Sequence, residues 1–215
     1  MIAVISGQII NAWKHNPNIW LFKLKRFFGS FGAAPQKWEI FGGNAFLLKV
    51  SYPEESLFVG IIIKAIFKQI ADLDVCLKIG VGSIVEEGAS LRSCKGTALD
   101  NAFSSQDEGI ARRPTFNFQS ADKQLNENIN LLLAFASQHM NDWTVAEAET
   151  VELCMLFPEK SQQEIADWLR IKQSAVSQRK ARAKLELLLQ LNAYYQKQLK
   201  QYSDSARIES EVRED

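Results

Sequence analysis

The chain is poor in the residues that carry metal and nucleophilic chemistry. Its three cysteines, Cys76, Cys94 and Cys154, are odd in number, widely spaced and without a C-x-x-C pair, so neither a zinc site nor a disulfide framework is indicated. Its two histidines, His15 and His139, lie far apart beside amide side chains, which gives no metal cluster and no catalytic base. Ser6, Ser83 and Ser93 lack the G-x-S-x-G setting of a hydrolase nucleophile. Net charge is also missing: 25 Lys and Arg balance 25 Asp and Glu, so any contact with nucleic acid or membrane has to be local. The longest apolar run, Leu57 to Ile63, is too short to span a bilayer and is followed by Lys64 and Lys68, as in a buried helix. The opening MIAVISGQII has no basic region before its apolar residues and reads as a strand, not a signal peptide, so a cytoplasmic protein without membrane contact is expected.

Against this background one segment carries a consistent signal, Ser161 to Lys184. Ser161 followed by Glu164 is a capping box that starts a helix, and Ile165, Ala166 and Leu169 form its apolar face, with the small Ala166 leaving room for a crossing helix. Ile171 falls in a turn. Val176 and Ala183 then continue the buried side of a second helix, while Gln173, Ser174, Ser177, Gln178 and Arg182 present groups suited to base edges in a major groove. Lys172, Arg179, Lys180, Arg182 and Lys184 supply positive charge for phosphates, with no acid before Glu186. The pattern is that of a helix-turn-helix binding double-stranded DNA; the alternative is a plain helical hairpin with a solvated basic face. Arg170 stands where a turn glycine is common and Lys172 where Ser or Thr would cap, so a helical or irregular turn is expected.

The rest reads as an α+β chain. Ile2 to Ile10 is a central strand, Asn18 to Phe28 a helix burying Trp20, Leu21, Leu24, Phe27 and Phe28, and Trp38 to Phe41 with Phe46 to Val50 a hairpin turned by Gly42, Gly43, Asn44 and Ala45. A helix from Pro53 to about Ile70 and a strand from Val75 to Ile84 complete the order strand, helix, strand, strand, helix, strand. This is the split βαβ, ferredoxin-like or palm-type arrangement, expected as an antiparallel sheet with helices on one face. A polar stretch from Glu86 to Pro114, expected to hold a short helix over one sheet edge, precedes a last strand at Thr115 to Phe118. A helix ending near Met140 follows, with Leu125, Ile129, Leu132, Leu133 and Ala136 inward. Thr144 and Glu147 make a second capping box, Pro158 ends that helix, and a long helix is expected from about Ala175 through Tyr202. Its apolar residues occupy more than one face, as in packing on two partners or in a homodimer. The expected division is a palm domain at 1–140, a helix-turn-helix domain at 141–202 and a disordered tail at 203–215.

ISGQIIN, WEIFGGNAF, DVCLKIGVG, WTVAEAE and EIADWLRIKQSAVSQRKARA, in that order and covering nearly the whole chain, resemble the SatD family of bacterial proteins. The resemblance implies a palm like that of class III nucleotide cyclases followed by a helix-turn-helix, in a protein described as a regulator. In such palms two Asp residues, at the end of the first strand and in the hairpin turn, bind the metal ions that hold a triphosphate, because hard cations take anionic oxygen ligands. The matching positions here are Gln8 and Asn44, both neutral, so the resemblance implies no catalytic residue, metal or cofactor and leaves a degenerate nucleotide site of Gln8, Gly42, Gly43 and Asn44. Glu39 is the nearest hairpin acid. The expected function is DNA-binding regulation with the palm as a dimerisation module or a sensor of a small molecule or nucleotide. The alternative is a cyclase-like phosphoryl-transfer enzyme with an unusual metal site.

Overall fold

The computed structural model describes residues 1–104 and 116–214. Five strands form one sheet in the order β2 (Trp38–Phe41), β3 (Ala45–Val50), β1 (Ile2–Ile10), β4 (Asp74–Gly82), β5 (Phe116–Gln119). Strand β1 is central because it is apolar on both faces: Ala3, Ile5 and Ile9 enter one core and Val4 another. The protein is α+β, but the sheet is mixed, not antiparallel as the sequence suggested, because β5 pairs parallel with β4 (Leu77 with Phe116, Ile79 with Phe118). Two strands can run parallel only across a long crossover, and helix α3 (Thr97–Phe103) lies in that connection. The part of the polar stretch beyond Ser104, with Thr115, lies outside the described residues.

Helix α3 also corrects the expectation that the helices share one face. It closes a small core of Val4, Leu47, Leu91, Ala98, Leu99 and Ala102 on the side of the sheet opposite α1 (Asn18–Gly29) and α2 (Ser56–Lys68). Gly80 permits the approach, since a Cβ there would lie 2.2 Å from the main-chain nitrogen of Ala102.

The other face carries the main core. Helix α2 is buried from Ser56 to Phe67 at all but one position, so a single sheet face cannot cover it. Its far side is covered by α4 (Lys123–Asn141), α5 (Val145–Leu156) and α8 (Leu185–Glu214), and one continuous cluster joins α2 to Ala148, Val151, Met155, Leu185, Leu188 and Tyr195. That core runs across the division at 140/141 read from the sequence. Polar ties cross it as well: Glu152 of α5 accepts from Lys23 Nζ at 2.5 Å and Gln69 Nε2 at 2.7 Å, and buried Lys64 donates to Asp74 and, at 2.7 Å, to Asn141 Oδ1. Burial pushes the Lys64 ammonium below its ordinary pKa, and Asp74 opposes the shift.

Three further differences from the sequence reading concern the helices. Leu132, expected inward, is 36% exposed on α4. The long helix expected from Ala175 is two helices, α7 (Gln173–Arg182) and α8, separated by Lys184 in a left-handed conformation with φ 56°. The segment from Ser203 to Glu214, expected to be disordered, is the end of α8; it contains the helix formers Ala206, Arg207, Glu209 and Glu211, and Ser205 Oγ donates to Gln201 O at 3.0 Å.

Helix α8 is pinned to the first half by Tyr195, whose buried hydroxyl lies 2.7 Å from Ser56 Oγ. Tyr195→Phe removes the hydroxyl's contacts with Ser56 Oγ and, at 3.5 Å, with Pro53 O, and is expected to lower unfolding free energy in urea by about 1 kcal/mol. Tyr195→Ala, which also opens a cavity beside Phe118, is expected to cost about 3–5 kcal/mol.

Candidate nucleic-acid interface

Helix α5 starts at the Thr144–Glu147 capping box, and α6 (Gln162–Leu169) starts at the one formed by Ser161 and Glu164. Ser161 Oγ accepts from Glu164 N at 3.2 Å, and Glu164 Oε2 accepts from Ser161 N at 2.9 Å. Lys160 Nζ adds a bond to Glu164 Oε1 at 2.8 Å. Lys160 first, then the main chain and hydroxyl of Ser161, hold the Glu164 carboxyl down at a pKa of about 2.

The turn between α6 and α7 is regular, where the sequence suggested a helical or irregular one. Arg170 adopts the left-handed conformation, φ 54° and ψ 44°, that glycine usually supplies. Ile171 N then donates to Ala166 O at 3.0 Å and Arg170 N to Asp167 O at 3.2 Å, the paired bonds that close a helix end. Ile165, Ala166 and Val176 form the buried contact between the two helices, with Leu153, Cys154, Leu169 and Ile171 around it. Burial on α5 pushes the Cys154 thiol above its ordinary pKa, with Lys180 opposing, so it stays protonated at neutral pH.

Of the nine side chains assigned to DNA, Lys172, Gln173, Ser174, Ser177, Gln178, Arg182 and Lys184 are exposed. Arg179 and Lys180 are half-buried on the flank next to Val176, and Arg179 reaches to 3.9 Å from Glu149 of α5. The separation follows from helical period: positions 176, 179, 180 and 183 share one face, and 174, 177, 178 and 182 another. Gln173 Nε2 donates to Gln162 Oε1 at 2.7 Å, which ties the first turns of α6 and α7 together. The far end is tied by Trp143, whose indole N–H donates to Ala183 O at 3.0 Å. Beside the same unit, Trp168 is 49% exposed, edge-on to Phe157 and with Lys160 over its ring. The sequence reading passed over this group, although a tryptophan off the Ile165–Leu169 stripe was the signal for it.

The four residues of the candidate nucleotide site come together at one end of the sheet. Gln8 is exposed near the end of β1 and pairs with Ala45, and Asn44 O accepts from Ile9 N at 2.7 Å, so Gln8 and Asn44 share one end of the sheet. Gly42 and Gly43, with φ 59° and 77°, make the tight turn that links β2 to β3. Glu39 is set apart: its carboxylate accepts from Arg92 N at 3.3 Å and lies 3.9 Å from Arg92 Nε.

Comparison with protein-family models, curated proteins and solved structures gives no match.

Two outcomes follow from the local geometry. Arg170→Gly is expected to leave stability unchanged or raise it by up to about 1 kcal/mol, and Arg170→Val to lower it by about 1–2 kcal/mol, as read from thermal unfolding. Because the Glu164 pKa is depressed, its stabilising effect is complete above the ordinary carboxylate range and is lost as pH falls toward about 2. Glu164→Gln is therefore expected to destabilise at pH 7 and to match the wild type near pH 2, measured by urea unfolding at each pH.

Proposed function

We propose that the protein is a DNA-binding regulator in which α6 and α7 act as a helix-turn-helix and α7 enters the major groove. The observation that carries this reading is the outward face of α7: Gln173, Ser174, Ser177, Gln178 and Arg182 are exposed together, flanked by exposed Lys172 and Lys184, with no acid between Asp167 and Glu186. Amides and hydroxyls meet base edges, and the cations at the two ends meet phosphates on either side of the groove. Arg179 and Lys180, half-buried, act through their field and not by direct base contact.

The strand order β2–β3–β1–β4 with α1 and α2 in the βαββαβ positions supports a palm-type reading of the first part of the chain and agrees with the SatD resemblance. With Gln8 and Asn44 at the metal-binding positions, this unit serves in dimerisation or in sensing a small molecule or nucleotide, not in metal-dependent catalysis. A homodimer would supply the second half-site, with the two α7 helices about 34 Å apart on one face of the duplex. Exposed Leu131, Leu132 and Phe135 of α4 and Leu187 of α8 offer an apolar strip for such an interface. The regulator is read as a cytoplasmic, bacterial protein.

Titrating random-sequence duplex DNA at several salt concentrations tests the reading. With three exposed cations per copy, Lys172, Arg182 and Lys184, the Kd is expected to rise roughly 40-fold per copy over a fourfold increase in salt. Lys172→Ala is expected to lower the log–log salt slope by about one, and Gln178→Ala to leave the slope and relax base preference. Absence of binding, or a Kd indifferent to salt, overturns the proposal.

A further inference from the structure

The two edges of the sheet are treated differently. On the β5 side, Asn130 of α4 takes the place of a neighbouring strand: its Oδ1 accepts from Phe118 N and its Nδ2 donates to Phe118 O, each at 2.8 Å. On the β2 side no side chain does this among the described residues. Lys49 N donates to Lys37 O at 2.8 Å, so the alternation of an antiparallel ladder turns the main chains of Glu39 and Phe41 toward β3 and those of Trp38 and Ile40 away from the sheet.

That open edge borders a groove of about 620 Å³, whose opposite wall is Pro17, just before α1, and one stripe of α1 made by Trp20, Leu21 and Lys25. The groove touches every residue from Trp38 to Gly43. Since side chains alternate between faces, a cavity in contact with six consecutive residues follows the edge of the strand and not either face. Trp20 is 1% exposed, and its indole N–H has no acceptor among the described residues.

Charge narrows the occupant. From Met1 to Trp38 the chain has five Lys and Arg and no Asp or Glu, and exposed Lys25 in the groove wall has no ion-pair partner among the described residues. The first acid, Glu39, is held by Arg92.

We propose that the groove between α1 and β2 binds an extended, carboxylate-bearing peptide as a sixth strand on the free edge of β2. The main chains of Trp38 and Ile40 form the ladder, alternate apolar side chains fill the space against Trp20, Leu21 and Pro35, and Lys25 meets the carboxylate. The site is independent of the α7 reading and adds a protein partner at the free edge of β2.

Panning the full-length chain against a displayed library of random twelve-residue peptides tests this. Enriched peptides are expected to alternate apolar residues and to carry Asp, Glu or a free C-terminus. Ile40→Pro removes one outward N–H from an edge strand, where proline is tolerated, and is expected to weaken the selected peptide at least about fivefold. Lys25→Glu, at an exposed position, is expected to weaken it about tenfold, with the loss reduced by salt. N-methylation of the peptide at alternate residues is expected to abolish binding in one register only, a readout that does not depend on the folding of any variant. No enrichment, equal affinity for Ile40→Pro and wild type with both folded by circular dichroism, or indifference to N-methylation overturns the proposal. So does a concentration-dependent dimer that Ile40→Pro dissociates without any peptide bound, which gives the edge to a second copy.

Discussion

Helix α2 has no polar face, and most of the architecture answers to that. A helix apolar all round loses its stabilisation wherever it meets water, at roughly 25 cal/mol for each Å² left uncovered. The sheet covers one side of it, and α4, α5 and α8 cover the rest. The second half of the chain is therefore not an appendage: α5 and α8 are recruited as walls for a helix of the first half. The few polar groups near this core, Lys64, Asp74, Asn141 and the Ser56–Tyr195 pair, satisfy one another and fix the rotation of the covering helices.

The basic helix inherits its position from this packing. Helix α5 contributes Ala148 and Val151 to the main core and, through Leu153 and Cys154, meets the small core of α6 and α7. Trp143, at the junction of α4 and α5, binds the main chain at the end of α7. The exposed amides and hydroxyls of α7 thus stand on an element whose inner face, first turn and last turn are each held by a different neighbour.

What was legible in the sequence was local. The capping boxes at Thr144 and Ser161 lie within four residues and fix helix starts that the structure reproduces. The glycine pair of the hairpin turn, the apolar identity of α2 and the inner face of α6 and α7 were legible for the same reason. The parallel pairing of β5 was not, since it is decided by where the chain re-enters the sheet and not by the residues of the strand. Helix α4 misled because Leu131, Leu132, Leu133 and Phe135 offer more apolar positions than one face can bury, and periodicity alone does not choose among them. The break at Lys184 carried no glycine or proline. Gln8 and Asn44 were singled out only through the resemblance, and their nearness comes from the β1–β3 register; the groove along β2 arises between elements whose sequence patterns are each ordinary.

Both ends of α7 pass through left-handed residues that are cations, Arg170 before it and Lys184 after it. Glycine would enter either conformation with less strain but would bring no charge, and any residue better suited to continuing a helix would straighten the chain. Each of these two sites therefore combines a strained backbone with an exposed cation, and no single residue type favours both. Where a turn is shaped by its least comfortable residues, drift at those positions is read out twice, once as a change in the angle at which the helix is offered and once as a change in the field around it.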